Sequence, residues 1–415
     1  MIIGTMPMNR KIALVGAMLL ALPFATLANQ EAVEPNSPVN LTDYLRIAAL
    51  NNAGLKASFE QWKATLEQVP QAKALPDPRF TYGYFIEEVE TRVGPQEHKF
   101  GIMQVFPWFG KIEARTDAAA AAAKAARQRY EAEKLKLFYQ VKDAFYEYVY
   151  LAKATEIARQ NLELLKHFEA VARTKYATSG AGHPDVIRAQ VEMAKLEDIL
   201  RSLQELREPI VAKLNAILNR DIKAPLPWPS RPDFSSPVLS RRGLMALMVK
   251  TNPELAALDY DIEAARSRVA LAKKNFWPDV GVGVDWVETG AAIAGNPSDS
   301  GKDPVMLMFS MNIPLWRDKY SAAQRQAEAN VRKVSQKKTE MENNLLARTD
   351  RVFYEFEDTR RKIDLYSSAL VPKAKQLLLA SETAYQSGTV DFLSLIDAQR
   401  TLLQFELEKE RVLVD

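Results

Sequence analysis

The chain has 415 residues, with 55 Lys plus Arg against 52 Asp plus Glu and a net charge of +3, a balance that excludes a polyanion-binding module with its marked basic excess. A mean hydropathy of -0.23 and the lack of a long apolar run after the N-terminus exclude a helical-bundle membrane protein, and 47% hydrophobic residues exclude a disordered chain. The absence of cysteine excludes disulfides, thiol nucleophiles and Cys-ligated metals, while few Gly (16) and Pro (22) favour long helices.

Residues 1–28 read as a secretory signal peptide. Arg10-Lys11 form a basic start, residues 12–25 an apolar stretch containing Pro23, and Thr26-Leu27-Ala28 offer the small residues that a signal peptidase reads. The stretch is too short for a spanning helix, so the mature chain is expected to begin at Asn29 and to leave the cytoplasm. Without a cysteine after the apolar stretch, it has no lipid-anchor site of that kind.

A first repeat is expected over 29–224: a helix, a β-hairpin at about 79–107, then a long helical hairpin. In the hairpin Phe80, Tyr82, Tyr84 and Ile86 alternate with Thr81, Gly83, Phe85 and Glu87, and Phe100, Ile102, Gln104 and Phe106 form a noisier row beyond a polar loop over 88–98. A very long helix should run from Lys111 to about Ile157, followed by shorter helices. Its Ala-rich stretch 118–126 either admits a neighbouring helix closely or simply favours helix.

Residues 225–237, with five prolines, read as an extended linker. A second repeat follows over 238–415, with a hairpin at about 279–314. Val280, Val282, Val284 and Trp286 make one row, Val305, Leu307, Phe309 and Met311 the other, joined by a polar loop over 289–303. The next helix, from Lys319 to about Tyr366, carries Val331, Val334, Met341, Leu345, Val352, Phe356 and Ile363 at a coiled-coil-like spacing. The halves share landmarks: Asn52, Leu55, Ala57, Val69, Lys73 and Pro78 recur as Asn252, Leu255, Ala257, Val269, Lys273 and Pro278.

The strand runs have the length of tilted bilayer-crossing strands. Trp108, Phe109, Trp277 and Trp316 gather where helix meets strand, as in a membrane-interface girdle. The alternative is a pair of hairpins capping a helical core, with those aromatics buried. Four strands cannot close a membrane barrel, and an open edge is not tolerated in lipid. Two copies would give a side-chain-filled barrel and three a barrel with a hole. The long helices would then form a tube on the same axis.

The helix starts at Asn52 and Asn252, the segments QVFPWFGK (104–111) and MNIPLWRDK (311–319), and the run from Tyr385 through QSGTVDFLSLIDAQR resemble the TolC family of bacterial outer-membrane efflux channels, most closely its heavy-metal branch. The resemblance implies a mostly α fold with a small β part, internally duplicated. Its long coiled-coil-like helices form an α-barrel, and its four strands per chain contribute to a trimeric 12-stranded transmembrane β-barrel. It implies a passive exit duct for heavy-metal cations or drugs in the outer membrane. The partners implied are two further copies, a periplasmic adaptor, an inner-membrane transporter of the resistance-nodulation-division class and outer-membrane lipid. By the same analogy the periplasmic tip falls near 157–166 and 366–372, making Arg159, Glu163, Arg361, Asp364, Tyr366, Lys373 and Lys375 candidates for the gate or adaptor contact. Tyr176/Gly180 and Tyr385/Gly388 are then expected to mark breaks at the tunnel's equator.

Chemistry is sparse. The three histidines, His98, His167 and His183, share no ligand spacing, and there is no Gly-rich phosphate loop or G-x-S-x-G elbow. No enzyme activity, cofactor or nucleic-acid partner is expected. The competing functions are a type I protein-secretion channel, a periplasmic coiled-coil scaffold or adaptor without a pore, and a secreted enzyme with helical decoration.

Overall fold

A computed structural model describes residues 38–179, 182–232, 240–295 and 297–415. The expected signal peptide and the end of the expected linker, 233–237, lie outside the described residues. The elements run α1 (Leu41–Asn51), α2 (Ala53–Leu66), α3 (Gln68–Lys73), β1 (Arg79–Thr91), β2 (Gly94–Phe106), α4 (Lys111–Ser179), α5 (His183–Glu205) and α6 (Arg207–Ile217), then α7 (Arg241–Thr251), α8 (Pro253–Lys274), β3 (Val280–Thr289), β4 (Val305–Met311), α9 (Arg317–Asp364), a π-helical turn (Leu365–Leu370), α10 (Val371–Ser387) and α11 (Phe392–Val414). The fold is mostly helical with one small sheet.

The helix starts repeat in atomic detail. Asn52 caps α2 by accepting from the Leu55 N–H at 2.9 Å, and Asn252 caps α8 by accepting from Glu254 and Leu255 at 2.9 and 3.1 Å. Asn52 also donates to the Ile217 carbonyl at 2.9 Å, fastening α2 to the end of α6. Along the Ala-rich stretch, Ala118, Ala121, Ala123 and Ala125 are buried, as are Ala257, Ala264, Ala265 and Ala272 on α8. With no side chain beyond Cβ, α4 and α8 pack closely there.

Two cores form along α4. In one, Tyr44, Phe145, Tyr148, Leu151 and Leu214 close α1, α4 and α6 together. In the other, Leu162, Leu165, Phe168 and Ala172 of α4 pack with Val186 and Leu196 of α5, Leu378 and Tyr385 of α10, and Phe392 and Leu395 of α11. The α4 positions recur every three or four residues, which keeps one stripe inward along the helix. By contrast α9 buries only Thr349 among its 48 residues. Val331, Val334, Met341 and Leu345 of its apolar seam are half-covered and Val352 is exposed.

The four strands make one antiparallel sheet in the order β1-β2-β3-β4. The first hairpin is tighter than expected. β1 runs on to Thr91 and β2 starts at Gly94, so the connection is Arg92-Val93 rather than a loop over 88–98. Gly94 makes this possible at φ 133°, a conformation open to glycine. A Cβ there would sit 1.8 Å from the Gly290 carbonyl oxygen of the second hairpin. Gly290 N–H donates to Pro95 O and Gly301 N–H to Val93 O, each at 2.7 Å, so the two tips are laced together.

The long helices also differ from expectation. α4 passes 157 without a break and continues to Ser179, 69 residues, roughly 100 Å at 1.5 Å per residue. No Gly or Pro lies between 111 and 179 to stop it. α9 ends at Asp364, close to the expected Tyr366, but no chain reversal follows at Pro372. The turn before it widens to π, with the Val371 N–H reaching Tyr366 O, and the wider turn takes up the proline while the helix carries on to Ser387.

Candidate functional site

The sheet has two unlike faces. Phe80, Tyr82, Tyr84, Ile86, Val280, Val284, Trp286, Val305, Leu307, Phe309 and Met311 are exposed on one face, and Val282 is half-covered there. Aromatic rings join across it: Phe100 stacks on Trp286 at 5.3 Å, and Tyr82 meets Phe100 at 5.3 Å. The other face holds Gly101, Gly281, Gly283, Asp285 and Ser310. Lys99 pairs with Asp285 at 2.7 Å, and a Cβ on Gly101 would meet the Asp285 carboxylate at 2.4 Å. One face thus suits hydrocarbon and the other suits water, the alternation of a membrane barrel strand.

At the strand ends nearest the helices Trp108 stacks on Trp277 at 5.2 Å. Phe109 and Trp316 are 85% and 77% exposed. Beneath the stacked pair Lys111, 8% exposed, donates to Asp279 Oδ1 at 2.7 Å and to Trp277 O at 2.8 Å. Asp279 Oδ1 also accepts from the Trp108 N–H at 2.8 Å, and the Asp279 N–H donates to Asn312 Oδ1. One carboxylate therefore binds the start of α4, the end of β2 and the start of β3, while its own backbone holds the end of β4.

The residues expected at a tip are elsewhere. Arg159 and Glu163 lie within unbroken α4, and Glu163 pairs with Lys166 on its own helix at 2.8 Å. Arg361 pairs with Asp358 on its own helix, and Asp364 closes α9 without a chain reversal. Tyr366 lies in the π turn with its ring 6.0 Å from Phe405. Lys375 pairs with Glu406 at 3.1 Å, and Lys373 is exposed. These side chains form a belt on the shaft, roughly 30 Å short of the reversals at 1.5 Å per residue. The expected turns at 157–166 and 366–372 are thus corrected: both stretches are helical.

The chain reverses instead between α4, which ends at Ser179, and α5, which starts at His183, with Gly180 outside the described residues, and between α10 and α11, around 388–391. These are the positions expected at an equator. Gly388 closes α10 at φ 79°, with Thr389 N–H reaching Ala384 O at 2.9 Å, and Asp391 caps α11 through Ser394 N–H at 2.9 Å. The Ser394 hydrogen bonds hold the Asp391 carboxyl below its ordinary range.

The two reversals are joined. The Tyr385 hydroxyl donates to Asp185 Oδ2 at 3.3 Å. Lys175 of α4 donates to Tyr385 O and sits 4.4 Å from the Tyr385 ring centroid. Burial, then the neighbouring Asp185 charge, push the Tyr385 phenol up to about 12. Asp185 and Lys175 went unnoticed in the sequence. The signal for them is Gly182 before Pro184-Asp185, a helix start directly after a helix end.

The Outer membrane efflux protein family model matches residues 45–220 and 244–412. The cobalt-zinc-cadmium resistance protein CzcC of Cupriavidus metallidurans is 21% identical over 379 residues, covering 89% of this chain and 85% of that protein. The outer membrane protein VceC of Vibrio cholerae superposes with a TM-score of 0.74 at 18% identity, over 90% of this chain and 92% of that one. CusC, whose structures concern folding and transmembrane channel formation, gives 0.75 at 15% identity over 90% and 88%.

Proposed function

The chain belongs to the outer membrane efflux protein family, and on that premise we propose that it works as a homotrimeric exit duct of a tripartite pump. The observation that carries this reading is the four-stranded sheet, apolar on one face and Gly-rich and charged on the other, with β1 and β4 each left at an edge. Hydrocarbon does not tolerate such edges. Three copies pairing β4 to β1 supply twelve strands, enough for an open lumen. The half-bare seam of α9 supports the same assembly, since it calls for a neighbour's helix.

The duct is passive and carries out no chemistry; its energy comes from an inner-membrane transporter of the resistance-nodulation-division class through a periplasmic adaptor. Residues 1–28 direct export, and 29–224 and 238–415 act as two structural repeats about the linker 225–237. Likeness to a cobalt-zinc-cadmium resistance protein supports heavy-metal cations as cargo. Exposed Arg159 and Lys373 on the helical shaft are the candidate adaptor contact. The gate lies at the joined reversals, where Tyr385 and Asp185 tie α10 to α5 in each protomer. Planar-bilayer recording tests the reading: purified protein should insert as a nearly closed pore that Y385F opens. A protein that never inserts would refute it.

A further inference from the structure

The water-facing side of the sheet carries three methionines at neighbouring register positions. Met103 on β2 and Met308 on β4 both lie opposite Gly283 of β3, so two methionines flank a residue without a side chain. With strands about 4.8 Å apart, their backbones stand about 10 Å apart, and the flexible methionine side chain can reach over the glycine from either side. A Cβ on Gly283 would meet Met103 Cβ at 3.2 Å, and one on Gly281 would meet Met103 Sδ at 3.4 Å. The Met103 side chain therefore already lies over this glycine pair, its sulfur 3.3 Å from the Ser310 hydroxyl that donates to it. Met306 lies one pleat nearer the hairpin tips, opposite Asp285.

We propose that Met103, Met308 and Met306 form a thioether site for a soft monovalent cation, copper(I) or silver(I), on the wall of the duct. The proposal rests on the exit-duct reading, which makes this face the lumen. Thioethers select soft cations, whereas zinc, cobalt and other borderline divalents favour imidazole and carboxylate. The carboxylate in register with Met306, Asp285, is already engaged by Lys99 at 2.7 Å, which leaves the neutral sulfurs, with the Ser310 hydroxyl beside Met103, as the available donors. Two or three neutral donors bind weakly enough to release the ion, as conduction requires. Threefold symmetry repeats the site at one height in the barrel.

Silver(I) is the probe, applied to the purified trimer in chloride-free detergent and read by X-ray absorption at the silver edge and by equilibrium binding. The chain has no cysteine, so any sulfur around the metal is methionine. Trimeric wild type is expected to show silver–sulfur coordination. M103L/M308L, which keeps side-chain volume, should lose most of it and bind at least tenfold more weakly, while M193L on α5 behaves as wild type. Nitrogen and oxygen neighbours only, or equal binding by wild type and M103L/M308L trimers, would overturn the site and leave the duct standing. A soluble monomer would overturn the duct reading and the site with it.

Discussion

The Tyr385 hydroxyl donates to Asp185 Oδ2 across 3.3 Å, joining the last turn of α10 to the first turn of α5. Neither residue is free to move while the bond holds, and both lie where the long helices turn back. A hydrogen bond to a charged acceptor contributes about 1.5–3 kcal/mol, so its loss shifts a closed–open equilibrium by roughly tenfold or more. Y385F and D185N should each raise the open probability of the pore in planar bilayers by at least tenfold. R361E should leave it nearly unchanged, because among the described residues Arg361 pairs along its own helix, with Asp358. Equal conductance in wild type and Y385F would remove this contact from the gate.

The same phenol gives a pH signature. Its folded value is raised to about 12 from an ordinary value near 10, so the fold favours the protonated form. The stability it contributes is complete below about pH 10 and is lost as pH rises towards 12. Burial also raises the Tyr44 and Tyr150 phenols, so phenolate absorbance should show several late-titrating tyrosines, one fewer in Y385F. The pore should open over that same alkaline window.

Acid should loosen a different joint. Arg400 of α11 binds Glu192 of α5 through both carboxylate oxygens, with Nε 3.0 Å from Oε2. This hydrogen bonding holds the Glu192 carboxyl below its ordinary range. A depressed carboxylate stabilises the fold above its unfolded value, about 4.3, and that stability is lost as pH falls through the lowered folded value. Hydrogen exchange of α5 and α11 amides should rise below about pH 4, and E192Q should show the raised exchange at neutral pH.

The junction of sheet and helices depends on Asp279. Replacing it with alanine leaves Lys111 charged and nearly buried, a loss of about 3 kcal/mol or more. D279A should lower the temperature at which the unboiled oligomer dissociates on a gel. D279A/K111M should recover part of the loss, because no unpaired charge remains. A double variant as weak as the single would show that charge is not the cause.

Much of this architecture was legible in the chain. The paired Asn caps, the period-two rows and the aromatic junction follow from local chemistry, and each is found where its residues stand. The end of the first long helix and the path of the chain after the second differ from expectation for two physical reasons. Residues 111–179 contain no helix breaker, so nothing local marks where α4 stops short of Ser179. Pro372 is a breaker on paper, yet a π turn absorbs it. The contact between Tyr385 and Asp185 joins residues 200 positions apart, a pairing that only the packing of four helices reveals. The methionine cluster was hidden similarly. Met103 lies in the noisiest strand row, and only the β2–β3–β4 register brings it level with Met308.

The central claim is that three copies close one barrel. Protein extracted from outer membranes should run as a heat-modifiable trimer on unboiled gels, with light scattering giving three chains per particle. A soluble monomer in the periplasm would contradict it, turning the two hairpins into caps on a helical scaffold.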